Sequence, residues 1–135
     1  MSFMCSKIVK RKEVYYCNLG NGVGSEQEGI RPVLIISNDI GNKFSTTAII
    51  VPLTSTLNKC KHNLPVHVEI DLKQRCTQEY LQNHKTKAQL LTNSIVLTEQ
   101  IRAIDKKRLL EKIAVLTDKD MEKVNKALSI GIALK

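Results

Sequence analysis

The stretch "PVLIISNDIGNKFSTTAIIVPL", residues 32–53, decides the fold class. Its two ends, "PVLIIS" (32–37) and "TTAIIVPL" (46–53), are nearly continuous apolar runs. Runs this short, rich in Val and Ile, read as strands buried on both faces. Between them "NDIGN" (38–42) puts Asn, Asp and Gly where the chain must reverse. The two strands are therefore expected to pair through a connection longer than a tight hairpin.

Outward from this centre, "EVYYCNL" (13–19) is rich in β-formers and "VHVEI" (66–70) alternates apolar with polar residues. "SIVLT" (94–98) and "QIRAI" (100–104) close the β portion. The period then changes from two to 3.6. Asp105 is expected to cap a short helix with Leu109, Ile113 and Leu116 on one face. Thr117 and Asp120 have the spacing of a capping box, and Met121, Val124 and Leu128 continue an apolar stripe. The tail "SIGIALK" is apolar enough to pack on the sheet or on another subunit. Residues 71–93 are polar and read as a long loop or a short helix around Glu79–Asn83. Short strands followed by helices predict a mainly β (α+β) fold, a small barrel or half-barrel with one or two helices laid against it. A single domain over residues 1–135 is expected, with the barrel at about 8–104 and the helical part at about 105–134.

The formal net charge of +8 favours an anionic partner, nucleic acid first. The excess is spread along the chain, and only Lys7, Lys10, Arg11 and Lys12 form a local cluster. With no Trp and few aromatics, no platform for stacking bases is advertised. Cys5, Cys17, Cys60 and Cys76 show no CxxC spacing, and "MSFMCSKIVKRK" lacks the uninterrupted apolar core of a signal peptide. No run reaches the roughly 18 apolar residues of a membrane span. A cytoplasmic protein with reduced thiols, free of the membrane, is expected.

Among residues that carry chemistry, His67 sits on the polar side of "VHVEI" and reads as an exposed strand histidine. His62 near Cys60, and His84 away from Cys76, do not reproduce a zinc spacing. No cysteine has the surroundings of a nucleophile. Glu26 and Glu28 read as a solvated loop face. Arg31 is more informative. Pro32 pushes the residue before it into an extended conformation, which holds the guanidinium at a strand mouth. There it serves either as a fork for phosphate oxygens or as a cap on loop carbonyls. Thr54, where polarity returns after "AIIVPL", could set a hydroxyl near it or be an ordinary strand-end threonine.

The segment "VYYCNLGNGVGSEQEGIRPVLIISNDIGNKFSTTAIIVPLT" resembles the core of the MazF/PemK family of toxin endoribonucleases. "LPVHVEI", "SIVLTEQIRAIDKKRL" and "VNKALSIGIAL" match in the same order, so the resemblance runs from about Ile8 to Leu134. It implies a small SH3-like β-barrel with C-terminal helical support, forming a homodimer in the cytoplasm. The implied activity is sequence-specific cleavage of single-stranded RNA, without metal or cofactor. The products would be a 2′,3′-cyclic phosphate and a 5′-hydroxyl. The implied partner is a cognate MazE-like antitoxin with an acidic tail. The family's catalytic arginine falls on Arg31 and its catalytic threonine on Thr54. Its mobile loop falls on Gly24, Ser25, Glu26 and Gln27, and its base-contacting glutamine on Gln100 beside Glu99. Ser55, next to Thr54, joins Ser25, Glu26, Gln27, Glu99 and Gln100 in the implied substrate-binding set.

Three features depart from that pattern. Lys12-Glu13 stands where the family commonly has Gly-Asp, Glu28 adds a carboxylate before Gly29-Ile30-Arg31-Pro32, and residues 71–93 are longer and more polar. Two other functions share the architecture: a non-catalytic toxin resembling CcdB, which inhibits gyrase, and a basic RNA-binding barrel.

Overall fold

The computed structural model describes residues 7–55, 65–84 and 93–134. Its strands are β1 (Glu13–Asn18), β2 (Ile30–Ile35), β3 (Thr47–Ser55), β4 (His67–Asp71), β5 (Asn93–Leu97), β6 (Arg102–Asp105) and β7 (Leu109–Val115). The helices are α1 (Asp39–Phe44), α2 (Leu72–Arg75), α3 (Gln78–Asn83) and α4 (Asp118–Gly131).

The two apolar runs became the centre of an antiparallel sheet ordered β4-β5-β3-β2-β1-β7. β2 and β3 pair through Val33–Pro52, Leu34–Val51 and Ile35–Ile50. Both faces are covered, as near-continuous apolar strands require. Leu34, Val51 and Leu53 pack with Val124 and Ala127 of α4 and with Tyr80 of α3. On the opposite face Val33, Ile35 and Ile50 pack with Tyr15, Cys17, Ile104 and Leu109.

β3 is long enough to serve two partners in succession along one edge. Thr47–Ile50 pair with β6, and Leu53–Ser55 pair with β5. Val51 and Pro52 lie between the two ladders, and Pro52 has no N–H to give. Opposite this break the chain makes a 3-10 turn over Thr98–Gln100.

The sheet curls like a half-barrel. Among the described residues no strand ladder joins its ends, β4 and β7. The chain leaving β4 makes the connection instead, through an isolated bridge between Cys76 and Ala114. The Thr77 N–H donates to the Ile113 carbonyl at 3.0 Å beside it.

The connection between β2 and β3 contains α1, whose first turn is capped by the Asn38 side chain accepting from the Gly41 N–H at 2.8 Å. Asn42 is fully buried and bonds Ser37, and its carbonyl accepts from the buried Lys106 ammonium. The polar stretch after β4 forms α2 and α3, the latter matching the helix expected around Glu79–Asn83. The rest of that stretch, 85–92, lies outside the described residues.

The short helix expected from Leu109, Ile113 and Leu116 is strand β7. Asp105 does cap a turn, but a 3-10 turn over Lys106–Arg108. The sheet therefore extends to Val115, past the boundary near 104. Register shifts between Val14 and Tyr15, and again between Tyr15 and Cys17, break the alternation where β1 meets β7. The inward residues become Leu109, Ile113 and Ala114, a spacing that imitates a helix. The Thr117–Asp120 capping box is present, and Met121, Val124 and Ala127 bury one stripe of α4. Ile130, Ile132 and Leu134 at the chain's end are exposed.

Candidate active site

Arg31 is the second residue of β2 and lies beside Cys17 of β1. Thr54 lies on β3 beside Ile95 of β5. Stepping the β2–β3 register two residues past Val33 and Pro52 sets Arg31 across from Thr54. Neighbours directly opposite in an antiparallel pair project from the same face. That face is the one bearing Val33, Ile35 and Ile50, and here it runs out to the rim of the sheet. Arg31 is exposed, whereas Thr54 is 5 % exposed.

The Arg31 Nε donates to the Glu28 carbonyl at 3.1 Å. Both readings of Arg31 thus meet in one side chain: Nε caps a loop carbonyl, and the guanidinium fork remains at an exposed strand mouth. Cys17 is fully buried, and burial pushes its thiol up to about 11 against the opposing pull of Arg102 and Arg108. Arg31, Arg102 and Arg108 thus make this rim basic, while the thiol beneath it stays protonated.

The loop before Arg31 is tied at its neck, where the Leu19 N–H donates to the Gly29 carbonyl and the Gly29 N–H to the Gly20 carbonyl, each at 2.8 Å. Gly20 (φ 74°) and Gly29 (φ 74°) take left-handed conformations that glycine allows at little cost. Inside the loop, Glu26 Oε1 accepts from the Val23 N–H at 2.7 Å and Glu28 Oε2 from the Gly22 N–H at 3.1 Å. The carboxylates read as a solvated face therefore also stiffen the loop by capping its own donors.

Ser25, Glu26 and Gln27 come against the 3-10 turn opposite the β3 break. Gln100 Oε1 accepts from the Gln27 N–H at 2.9 Å, and Gln100 Nε2 donates to the Ser25 carbonyl at 3.2 Å. Between loop and turn is a cavity of about 220 Å³ lined by Glu26, Gln27, Glu99, Gln100 and Arg102. Leu19 and Pro52 give it apolar walls. Arg31 and Thr54 do not line this cavity. Along the chain, Thr54 is two residues beyond Pro52 and Arg31 four residues beyond Gln27. Ser55 pairs with Ser94, one residue past Thr54.

His67 departs from its expected exposure, since its side chain is only 4 % exposed. Its Nε2 lies 2.8 Å from Glu99 Oε2, so the 3-10 turn covers it. Glu99 thus contributes a wall of the cavity and anchors the turn to β4. His84 bonds Glu111, Nε2 to Oε1, at 2.6 Å, away from this site, while His62 and Cys60 lie outside the described residues. Among the described residues no group of three or more His, Cys, Asp or Glu is arranged to hold a metal ion. Arg102 and Arg108 were not singled out in the sequence. Arg108 comes near Cys17 through the pairing of β1 with β7, and Arg102 through the pairing of β6 with β3, though alternation along "IRAI" could have turned Arg102 outward.

Residues 10–132 match the family model described as the PemK-like, MazF-like toxin of type II toxin–antitoxin systems. The chain is 49 % identical over 127 residues to the endoribonuclease EndoA of Bacillus subtilis, covering 94 % of this chain and 97 % of that one. It is 44 % identical over 127 residues to the endoribonuclease MazF of Staphylococcus saprophyticus, covering 94 % and 93 % respectively. Among solved structures, MazF from Deinococcus radiodurans superposes with a TM-score of 0.68 at 19 % identity, covering 96 % of this chain and all of that one. A mycobacterial endoribonuclease in complex with its cognate antitoxin superposes with a TM-score of 0.66 at 24 % identity, covering 94 % and 97 %. These two similarities support the fold.

Proposed function

The chain belongs to the PemK-like, MazF-like toxins of type II toxin–antitoxin systems, and from that premise we propose a sequence-specific endoribonuclease with Arg31 and Thr54 as its catalytic pair. The observation that supports this reading is the Val33–Pro52 pairing of β2 with β3, whose register continued by two residues brings Arg31 level with Thr54 at a rim that also bears Arg102 and Arg108.

RNA brings its own nucleophile. Attack of the 2′-hydroxyl on the adjacent phosphorus forms one P–O bond as the P–O5′ bond breaks. The products are a 2′,3′-cyclic phosphate and a 5′-hydroxyl, with the proton moving from O2′ to O5′. The protein need only stabilise charge on the phosphorane and help protons move. Arg31 does the first through its fork of donors, which matches phosphate oxygens. The Thr54 hydroxyl bonds a non-bridging oxygen or the departing 5′-oxygen. Ser25, Glu26, Gln27, Ser55, Glu99 and Gln100 border the groove that takes the strand, where splayed bases offer their edges.

The protein acts in the cytoplasm as a homodimer of single-domain chains, held in check by a cognate antitoxin whose acidic segment meets the basic rim. The experiment is cleavage of a long single-stranded RNA in EDTA, with the ends mapped by sequencing. Cuts at a recurrent word with 5′-hydroxyl ends support the assignment, and intact RNA overturns it.

A further inference from the structure

The 20–29 loop makes few contacts that would hold it in place. Most of its residues are exposed, including Val23 at 79 %, and its two carboxylates bond inside the loop. Among the described residues, beyond the neck, the Gly20 N–H bond to Asn18 Oδ1 and the bond to Arg31, its hydrogen bonds to the rest of the chain run to Gln100. The Gln27 side-chain oxygen is itself buried without a hydrogen-bond partner, so it adds no tether.

Gln100 fits this task through its polarity. A carboxamide offers an acceptor and a donor side by side, and here the acceptor takes the Gln27 N–H while the donor meets the Ser25 carbonyl. Each end of the amide therefore makes one bond to the loop's main chain. One residue past Gln27, the Glu28 carbonyl holds Arg31 Nε at 3.1 Å. A continuous path of hydrogen bonds and one peptide unit thus connects the 3-10 turn to the guanidinium.

We propose that Gln100 is a positioning residue, a latch that holds the 20–29 loop and through Glu28 aims Arg31 at the phosphate. This rests on the ribonuclease reading above for its catalytic consequence. Its structural half stands independently. The latch differs from a base-reading glutamine, whose carboxamide must be free to meet a base edge.

The test uses the full chain with Gln100→Ala and Gln100→Glu, the latter keeping the acceptor and losing the donor. Amide hydrogen exchange is read first, without RNA. In Gln100→Ala the Gln27 amide exchanges at least tenfold faster, while the Val33 and Val51 amides in the sheet do not change. Gln100→Glu falls between Gln100→Ala and the native protein. Cleavage is read second, on RNA bearing the native cut sites. With Gln100→Ala, kcat falls about tenfold or more, KM changes little and the cut sites stay the same. Unchanged exchange at Gln27 overturns the latch, and so do shifted cut sites with kcat unchanged, the signature of a base reader. If the native protein cuts no RNA, the ribonuclease reading fails, and the exchange result still decides the latch.

Discussion

Arg31 Nε and the Glu28 carbonyl are 3.1 Å apart, so the catalytic candidate is held by the loop that precedes it. That bond uses Nε, a position that lysine fills with a methylene carbon. Arg31→Lys keeps the charge but loses both the anchor and the fork. We expect its single-turnover cleavage rate to fall by about 10²-fold or more. Recovery of near-native rate by Arg31→Lys would mean that charge alone suffices.

The N-terminus of α4 is held by a buried carboxylate. Asp120 Oδ2 accepts from Arg75 Nε at 2.6 Å and from the Thr117 N–H at 3.1 Å. Burial pushes its carboxyl up, and the Arg75 and Thr117 bonds outweigh burial, leaving it below the usual carboxylate range. A depressed folded-state value gives stability that is present above the unfolded carboxyl's range, about pH 4. It is lost as pH falls through the lower folded value. Arg75→Ala should cost about 1.5–3 kcal/mol at pH 7. The difference from native protein should begin to shrink in denaturant titrations below about pH 4, where the unfolded carboxyl protonates, and vanish as pH falls through the lower folded-state value of Asp120.

Lys12 sits at φ 86°, in the left-handed region, where the family pattern has glycine. Its main chain is committed, with the N–H donating to the Ile35 carbonyl at 3.1 Å and the carbonyl accepting from Leu116 at 2.9 Å. The side chain gains only an exposed ion pair with Asp118, a weak compensation. Lys12→Gly should therefore relieve about 1 kcal/mol of backbone strain and raise the thermal midpoint. An unchanged or lower midpoint would show that the strain is offset elsewhere.

Local chemistry made some of this architecture readable. The runs 32–37 and 46–53 declared strands, and Thr117 with Asp120 declared the start of α4. Leu109–Val115 misled because register shifts against β1 replaced alternation with a helical spacing. His67 looked exposed because Glu99, which covers it, lies 32 residues away. Arg31 and Thr54 were visible singly, and only the β2–β3 register, continued two residues past Val33–Pro52, brings them level with each other. The bonds from Gln100 to the 20–29 loop span 73 and 75 residues and leave no periodic trace in the sequence.

The most direct test of the central claim is the single-turnover cleavage rate of one RNA by native protein, Arg31→Ala and Thr54→Val, each checked for an unchanged thermal midpoint. Thr54→Val keeps the buried shape and removes the hydroxyl. Each variant, still folded, is expected to lose about 10²–10³-fold in rate. A folded Arg31→Ala that cuts at the native rate would contradict the claim.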